Sequence, residues 1–279
     1  PPPPPGLNYI EAIRPALTFL ILVTVWSAIL VPILVALFFF STRELRRKPI
    51  FICNVFSILL GLSMGICTLY AEVLQHYMAP STAARLTVAW LDFFIPFFVE
   101  SILVIRILAV YPYRRTPRVV FLSIFIPLGI LKIARLVNII VFTVNYARVT
   151  AGDVDIMAAS QRAWRSYPGQ KIEWFLQLVD NTAASALFLW RLNKGRHIAE
   201  RCLMHSVFSY RSKGTYISKI EGLFWIAVSN FVFPVILCLV QLVFIFRDPT
   251  FIIASCIFLT NDYVEIIGVL LATVWTAGS

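Results

Sequence analysis

Eight ionisable side chains interrupt stretches of this chain that otherwise read as continuous hydrocarbon: Asp92, Glu100, Arg106, Lys132, Arg135, Asp180, Asp262 and Glu265. The amides Asn54, Asn138, Asn181, Asn230, Gln241 and Asn261 stand in the same stretches. A charge in an apolar medium costs several kcal/mol unless it is paired or hydrated, so each such residue is a functional candidate. Three chemistries suit the set: an ion-pair network that ties helices together, a polar cavity for a ligand, or a relay for protons or ions. A ligand cavity would draw on Asp92, Glu100, Lys132, Arg135, Asp180, Asn181, Asn230, Gln241, Asn261 and Asp262.

The elements that must position these groups are seven apolar stretches: Ala16–Phe40, Ile50–Leu74, Thr87–Val110, Val119–Tyr146, Lys171–Trp190, Gly222–Phe246 and Phe251–Trp275. About 20 apolar residues at ~1.5 Å rise each cross a bilayer as a helix. Lipid offers the backbone no hydrogen-bond partners, so a spanning segment must be a helix or part of a closed barrel. Barrel strands would alternate over about ten residues, and these stretches do not. The expected fold is therefore an all-α integral membrane bundle of seven transmembrane helices in a single domain. The chain is 59% hydrophobic and 14% charged over 279 residues, which leaves no room for a separate soluble domain. It opens on proline and stops just after the last stretch, which suggests trimmed termini. Pro1–Pro5 reads as a short exposed extended tail.

The net charge of +10 would point to nucleic acid in a soluble protein, but its distribution points to topology instead. Fourteen basic residues fall in the loops after the first, third and fifth stretches, among them Arg46, Arg47, Lys48, Arg114, Arg115, Arg191, Lys194 and Arg196. Six fall on the other side: Arg14, Arg85, Arg148, Arg162, Arg165 and Arg247. The positive-inside rule then places the N-terminus outside and the C-terminus in the cytosol.

Helical rise sets depth. Entering from opposite sides, Glu100 and Lys132 both lie ~20 Å in and meet near the midplane. Arg135 is level with Asp92 or with Asp180. Asp262 and Glu265 have no base in their own stretch, so they must be hydrated, protonated or paired with Arg106 or Lys132. Arg106 itself is either an anchor reaching the interface or a switch that pairs with an acid in one state. The glycines of Gly61-Leu-Ser-Met-Gly65 allow close helix packing, within the bundle or across a dimer. His197–Tyr210 either continues the fifth helix or lies on the membrane surface.

Several activities are excluded. His76, His197 and His205 lie on different sides and cannot share a zinc ion. No lysine follows Lys219, so the seventh stretch cannot hold a Schiff base. No nucleotide loop and no Ser/His/Asp set on one membrane face is present, and neither an enzyme nor a cofactor is expected. None of the five cysteines falls in an outer loop, so no external disulfide is expected.

Five motifs carry a family resemblance. Arg47-Lys-Pro-Ile-Phe-Ile-Cys-Asn54-x-x-Ser57 opens the second stretch, and Glu100-Ser-Ile-Leu-Val104 lies in the third. Ser123-Ile-x-x-x-Leu128-Gly129-Ile130 follows in the fourth, Ser229-Asn230-x-x-x-Pro234 in the sixth and Leu270-x-x-x-x-Trp275-x-Ala277 in the seventh. In this order they resemble the fungal α-factor-type mating pheromone receptors, the class D G-protein-coupled receptors. The resemblance implies a multi-pass plasma-membrane receptor for an extracellular ligand, a peptide being one candidate class. It also implies coupling to a heterotrimeric G protein through the basic inner loops and Arg106, and a homodimer. Ser229 and Pro234 would form the switch in the sixth helix. The alternative is a transporter or ion-conducting protein that uses the buried charges of the third, fourth, fifth and seventh helices. No inverted repeat or matched pair of broken helices supports that alternative.

Overall fold

The structure, a computed structural model, describes residues 5–75, 82–111, 113, 116–149, 162, 168–205, 232–244, 246–247 and 252–278. Among the described residues the regular structure is all helical. The order is α1 (Pro5–Phe40), the short α2 (Arg43–Arg46), α3 (Pro49–Gln75), α4 (Thr82–Val110), α5 (Arg118–Val149), α6 (Gly169–His205), α7 (Val232–Phe244) and α8 (Ile252–Gly278). Five of these, α1, α3, α4, α5 and α8, are long and apolar enough to cross a membrane. The described part of α7 is apolar but shorter. α1 begins at Pro5, so the residue expected to end an extended tail opens a helix instead, as a proline without a needed N–H can. α6 runs on to His205, so the segment from His197 continues this helix as far as that residue.

α6 is long but less apolar than these five, and its burial shows why. Gln170, Glu173, Gln177, Asp180, Asn181 and Ser185 are buried, while Ile172, Phe175 and Trp190 are exposed. The helix is amphipathic in the inverted sense, with a polar stripe inward and an apolar one outward. That pattern suits a helix whose outer face meets hydrocarbon rather than water. α5 shows the same logic. Its buried residues Ile124, Leu128, Arg135, Ile139, Phe142 and Tyr146 form one stripe. Val119, Ile126, Ile130, Ile133 and Ile140 cover the rest of the cylinder and are exposed. Hydroxyls on exposed helix surfaces satisfy themselves within their own helix: Thr18 and Thr24 of α1 donate to the carbonyls of Arg14 and Leu20 at 2.9 and 2.7 Å.

α4 lies centrally and packs on α3, α5, α6 and α8, while α8 also packs on α1 and α3. Val23, Leu30 and Leu37 of α1 recur every seven residues and join Phe51, Ile58, Leu259 and Ile266 in the largest core cluster. The two glycines of α3 let the helices approach. A Cβ on Gly61 would come within 2.8 Å of Leu30 and 2.9 Å of Ile266, and one on Gly65 would overlap the Ser27 hydroxyl. The motif is therefore spent inside the bundle, against α1 and α8, not on a dimer face. Tyr263 closes this junction. Its hydroxyl donates to the Gly61 carbonyl at 3.1 Å and lies 3.0 Å from the Ser27 hydroxyl, and its ring stacks on Trp26. Prolines inside α4 (Pro96) and α5 (Pro127) each remove one helical hydrogen bond.

Candidate functional site

Lys132 and Arg135 stand three residues apart on α5, so both reach the same side of that helix. Opposite them α6 brings Glu173 and Asp180, two turns apart, and α4 brings Glu100. The Lys132 ammonium lies 3.1 Å from Glu100 Oε2 and 2.6 Å from Asp180 Oδ2. Arg135 is wholly buried; its Nε donates to Glu173 Oε1 at 2.6 Å. Its Nη1 pairs with Glu100 Oε2 and reaches Asp180 Oδ2 at 3.1 Å. Two cations thus share three carboxylates across three helices. Asn138, one turn beyond Arg135, donates to Glu173 Oε2 at 3.0 Å and to the Gly169 carbonyl at 2.9 Å, fixing the start of α6. The Lys132 ammonium also sits 5.4 Å from the centre of the Phe97 ring.

Beside this network lies a second acidic group. Glu265 Oε1 of α8 accepts from the amides of Gln177 (3.3 Å), Asn181 (3.1 Å) and Asn261 (3.0 Å). Asn181 and Asn261 also converge on the Cys238 thiol of α7, at 3.6 and 3.8 Å. Glu265 Oε2, both oxygens of Asp262 and both amide atoms of Gln241 are buried without a hydrogen-bond partner. A carboxylate steadied on one oxygen by three amides and bare on the other is poised to take a proton or a cationic partner.

The pairing of Glu100 with Lys132, expected from their matched depth, is present in the structure, and so is that of Arg135 with Asp180. The sharing is closer than depth alone implies, because both cations reach both acids. Glu173 escapes a search for charges deep inside the apolar runs because it lies close to the start of its own run. It stands seven residues before Asp180, on the same face of the same helix, and Gln177 lies between them. That spacing is the signal in the sequence that points to both. Asp92 stands apart from these ion pairs, two turns from Glu100.

The basic residues divide. Arg46 folds back onto α1, donating to the Phe38 carbonyl at 2.6 Å and to the Ser41 hydroxyl at 2.8 Å, and so caps that helix. Arg47 and Lys48 are exposed. Arg106 donates to the Val269 carbonyl of α8 at 2.6 Å. Arg191 lies over the ring of Tyr111, 5.1 Å from its centre. Burial pushes the Tyr111 phenol upward, opposed by the Arg191 charge. Lys194 and Arg196 lie along α6. Pro234 is buried near the start of α7. Arg114, Arg115, Ser229 and Asn230 lie outside the described residues.

No protein family matches the chain, and no curated protein or solved structure matches it either.

Proposed function

We propose that the chain is a seven-helix receptor of the plasma membrane, N-terminus outside, that senses an extracellular ligand and activates a heterotrimeric G protein. The observation that carries this reading is the convergence of α4, α5, α6, α7 and α8 on two neighbouring buried polar clusters with spare hydrogen-bonding capacity. A ligand that completes the network in one helix arrangement and not another shifts the balance between the two, which is what a receptor needs. The fifth span is the polar α6, and α7 is the described part of the sixth. The basic residues at the opposite end, with Arg106 bonded to the backbone of α8, are suited to report the shift to an acidic partner. Pro234 supplies the hinge of the sixth span.

The test is nucleotide exchange on purified G-protein α subunits by the full chain in nanodiscs, with and without a peptide library. Ligand-dependent exchange is expected, and Pro234→Leu should change the basal rate at equal protein folding. Absence of exchange with every α subunit, together with flux of a solute in proteoliposomes, would replace this reading with a transporter. The surplus of buried carboxyls over cations is the one observation that favours that second reading, because such acids also serve as proton relays.

A further inference from the structure

Residues 41–48 join α1 to α3 and hold four cations, Arg43, Arg46, Arg47 and Lys48, against one acid, Glu44. Phe40 ends α1 and Pro49 opens α3, and both helices are long and apolar enough to cross a membrane. The cluster therefore sits directly beyond two hydrocarbon-spanning segments, at the level where headgroups begin. A negatively charged leaflet acts over a Debye length of about 10 Å, and cations placed there lie inside it.

The turn has a fixed shape, and one of its four cations is spent in fixing it. Arg46 donates to the Phe38 carbonyl and the Ser41 hydroxyl, and its guanidinium lies 5.7 Å from the centre of the Phe38 ring. Its own N–H donates to the Thr42 carbonyl at 3.1 Å, and the Phe51 N–H donates to the Lys48 carbonyl at 3.0 Å. The Phe38 ring meets Phe51 of α3 edge-on, 5.7 Å between centres. The loop is thus tied to both helices, and groups displayed on it are ordered before any partner arrives.

Arg43, Arg47 and Lys48 are the groups displayed. All three are exposed, and none makes an ion pair among the described residues, with Glu44 or with any other acid. Arg43 and Arg47 stand four residues apart across the single turn of α2. A guanidinium fork matches two oxygens of one phosphate, which a lysine cannot do. Immediately before them, Phe39 is 82% and Phe40 67% exposed, with ring centres 5.3 Å apart. A soluble anion has nothing to place against these two rings. A lipid does, because its headgroup and its acyl chains meet at the level where the rings and the cations meet.

We propose that the turn at residues 41–48 binds an anionic phospholipid whose headgroup carries a phosphomonoester. Arg43, Arg47 and Lys48 hold the phosphate, and the acyl chains lie against Phe39 and Phe40. The receptor reading, with its N-terminus outside, assigns the lipid to the cytosolic leaflet. The site itself needs only a membrane surface at this turn, so it stands whether or not that reading does. A headgroup and an acidic protein partner draw on the same Arg47 and Lys48, so the lipid is tested with no G protein present.

The probes are phosphatidylinositol bisphosphate, phosphatidylserine at matched total charge, and the soluble headgroup inositol trisphosphate. Each is titrated against the full chain, and bound copies are counted by native mass spectrometry. The bisphosphate lipid should bind at least ~10-fold more tightly than either of the others, a difference of about 1.4 kcal/mol. Replacing Arg43, Arg47 and Lys48 together by glutamine should remove that preference. Replacing Arg114, Arg115 and Arg118 by glutamine, an equal loss of charge in the next basic loop, should leave it in place. Glu44→Gln should tighten binding of the lipid, a gain that no loss of folding can imitate. Equal binding of the two lipids would show attraction to net charge only, and equal binding of the soluble headgroup would show a site for a soluble anion; either overturns the proposal. So does an equal loss in the two triple variants, which would spread the effect over the whole basic end. Lipid binding as expected, without nucleotide exchange on any α subunit, would count against the receptor reading and leave this site standing.

Discussion

Arg135 and Lys132 are neighbours on α5, yet they are committed to different degrees. The Arg135 side chain is 0% exposed and the Lys132 side chain 14%. Removing one partner of a buried ion pair leaves an uncompensated charge and costs roughly 3–5 kcal/mol. Arg135→Met strands Glu173 and weakens two other carboxylates, so it should cost the most, near the top of that range. Lys132→Met should cost less, because Arg135 still serves both Glu100 and Asp180. In a cycle with Glu100→Gln, the Lys132→Met double mutant should recover part of the summed loss and not all of it, since Asp180 remains. Thermal unfolding in detergent measures all of these proteins. Strict additivity would mean that Lys132 and Glu100 do not interact, and a larger loss for Lys132→Met than for Arg135→Met would invert the ranking drawn from burial. At this scale most of the acids and bases are legible in the sequence, because charge inside an apolar run is conspicuous. Their partners are legible only by depth, since rise along a helix is fixed while its rotation depends on packing. Hence depth matches Glu100 to Lys132, whereas the contact of Arg106 with a backbone carbonyl on α8 has no sequence signal at all.

Two glycines separate packing from propensity at the scale of the element. Gly65 sits where α3 meets Ser27 and Tyr263, and a Cβ there has no room. Gly129 of α5 has nothing within 4 Å of an added Cβ. Gly65→Leu should therefore destabilise the bundle by roughly 1–3 kcal/mol or more through overpacking. Gly129→Ala should be neutral, or stabilising by up to about 1 kcal/mol from helix propensity. The midpoint of thermal unfolding for each variant decides the matter, and a tolerated Gly65→Leu would remove the close-approach account of α1, α3 and α8. The helices themselves are readable from apolar length in α1, α3, α4, α5 and α8. The run from Lys171 to Trp190 reads as one more apolar stretch, but the structure makes it a helix with a polar interior face. Its outward Ile172, Phe175 and Trp190 keep the run apolar enough on average to resemble the others. Periodicity within the run, rather than its average, carries the information.

The whole molecule is asymmetric in charge along its length, and that asymmetry makes the strongest demand on function. Basic residues crowd the loops after the first, third and fifth stretches, fourteen against six on the other side. Asp262 and Glu265 of α8 are buried, and Asp92 of α4 is half-buried. Under the positive-inside rule the basic end faces the cytosol. An acidic cytosolic partner then meets Arg47 and Lys48. With the opposite orientation that match fails, because the basic end would face outside. Orientation is thus the point on which the receptor reading stands. In a background with all five cysteines replaced, a cysteine at Ser212 should react with an impermeant maleimide only after permeabilisation. A cysteine at Ser160 should react on intact cells. The reverse pattern would place the basic end outside, and the receptor reading would fall.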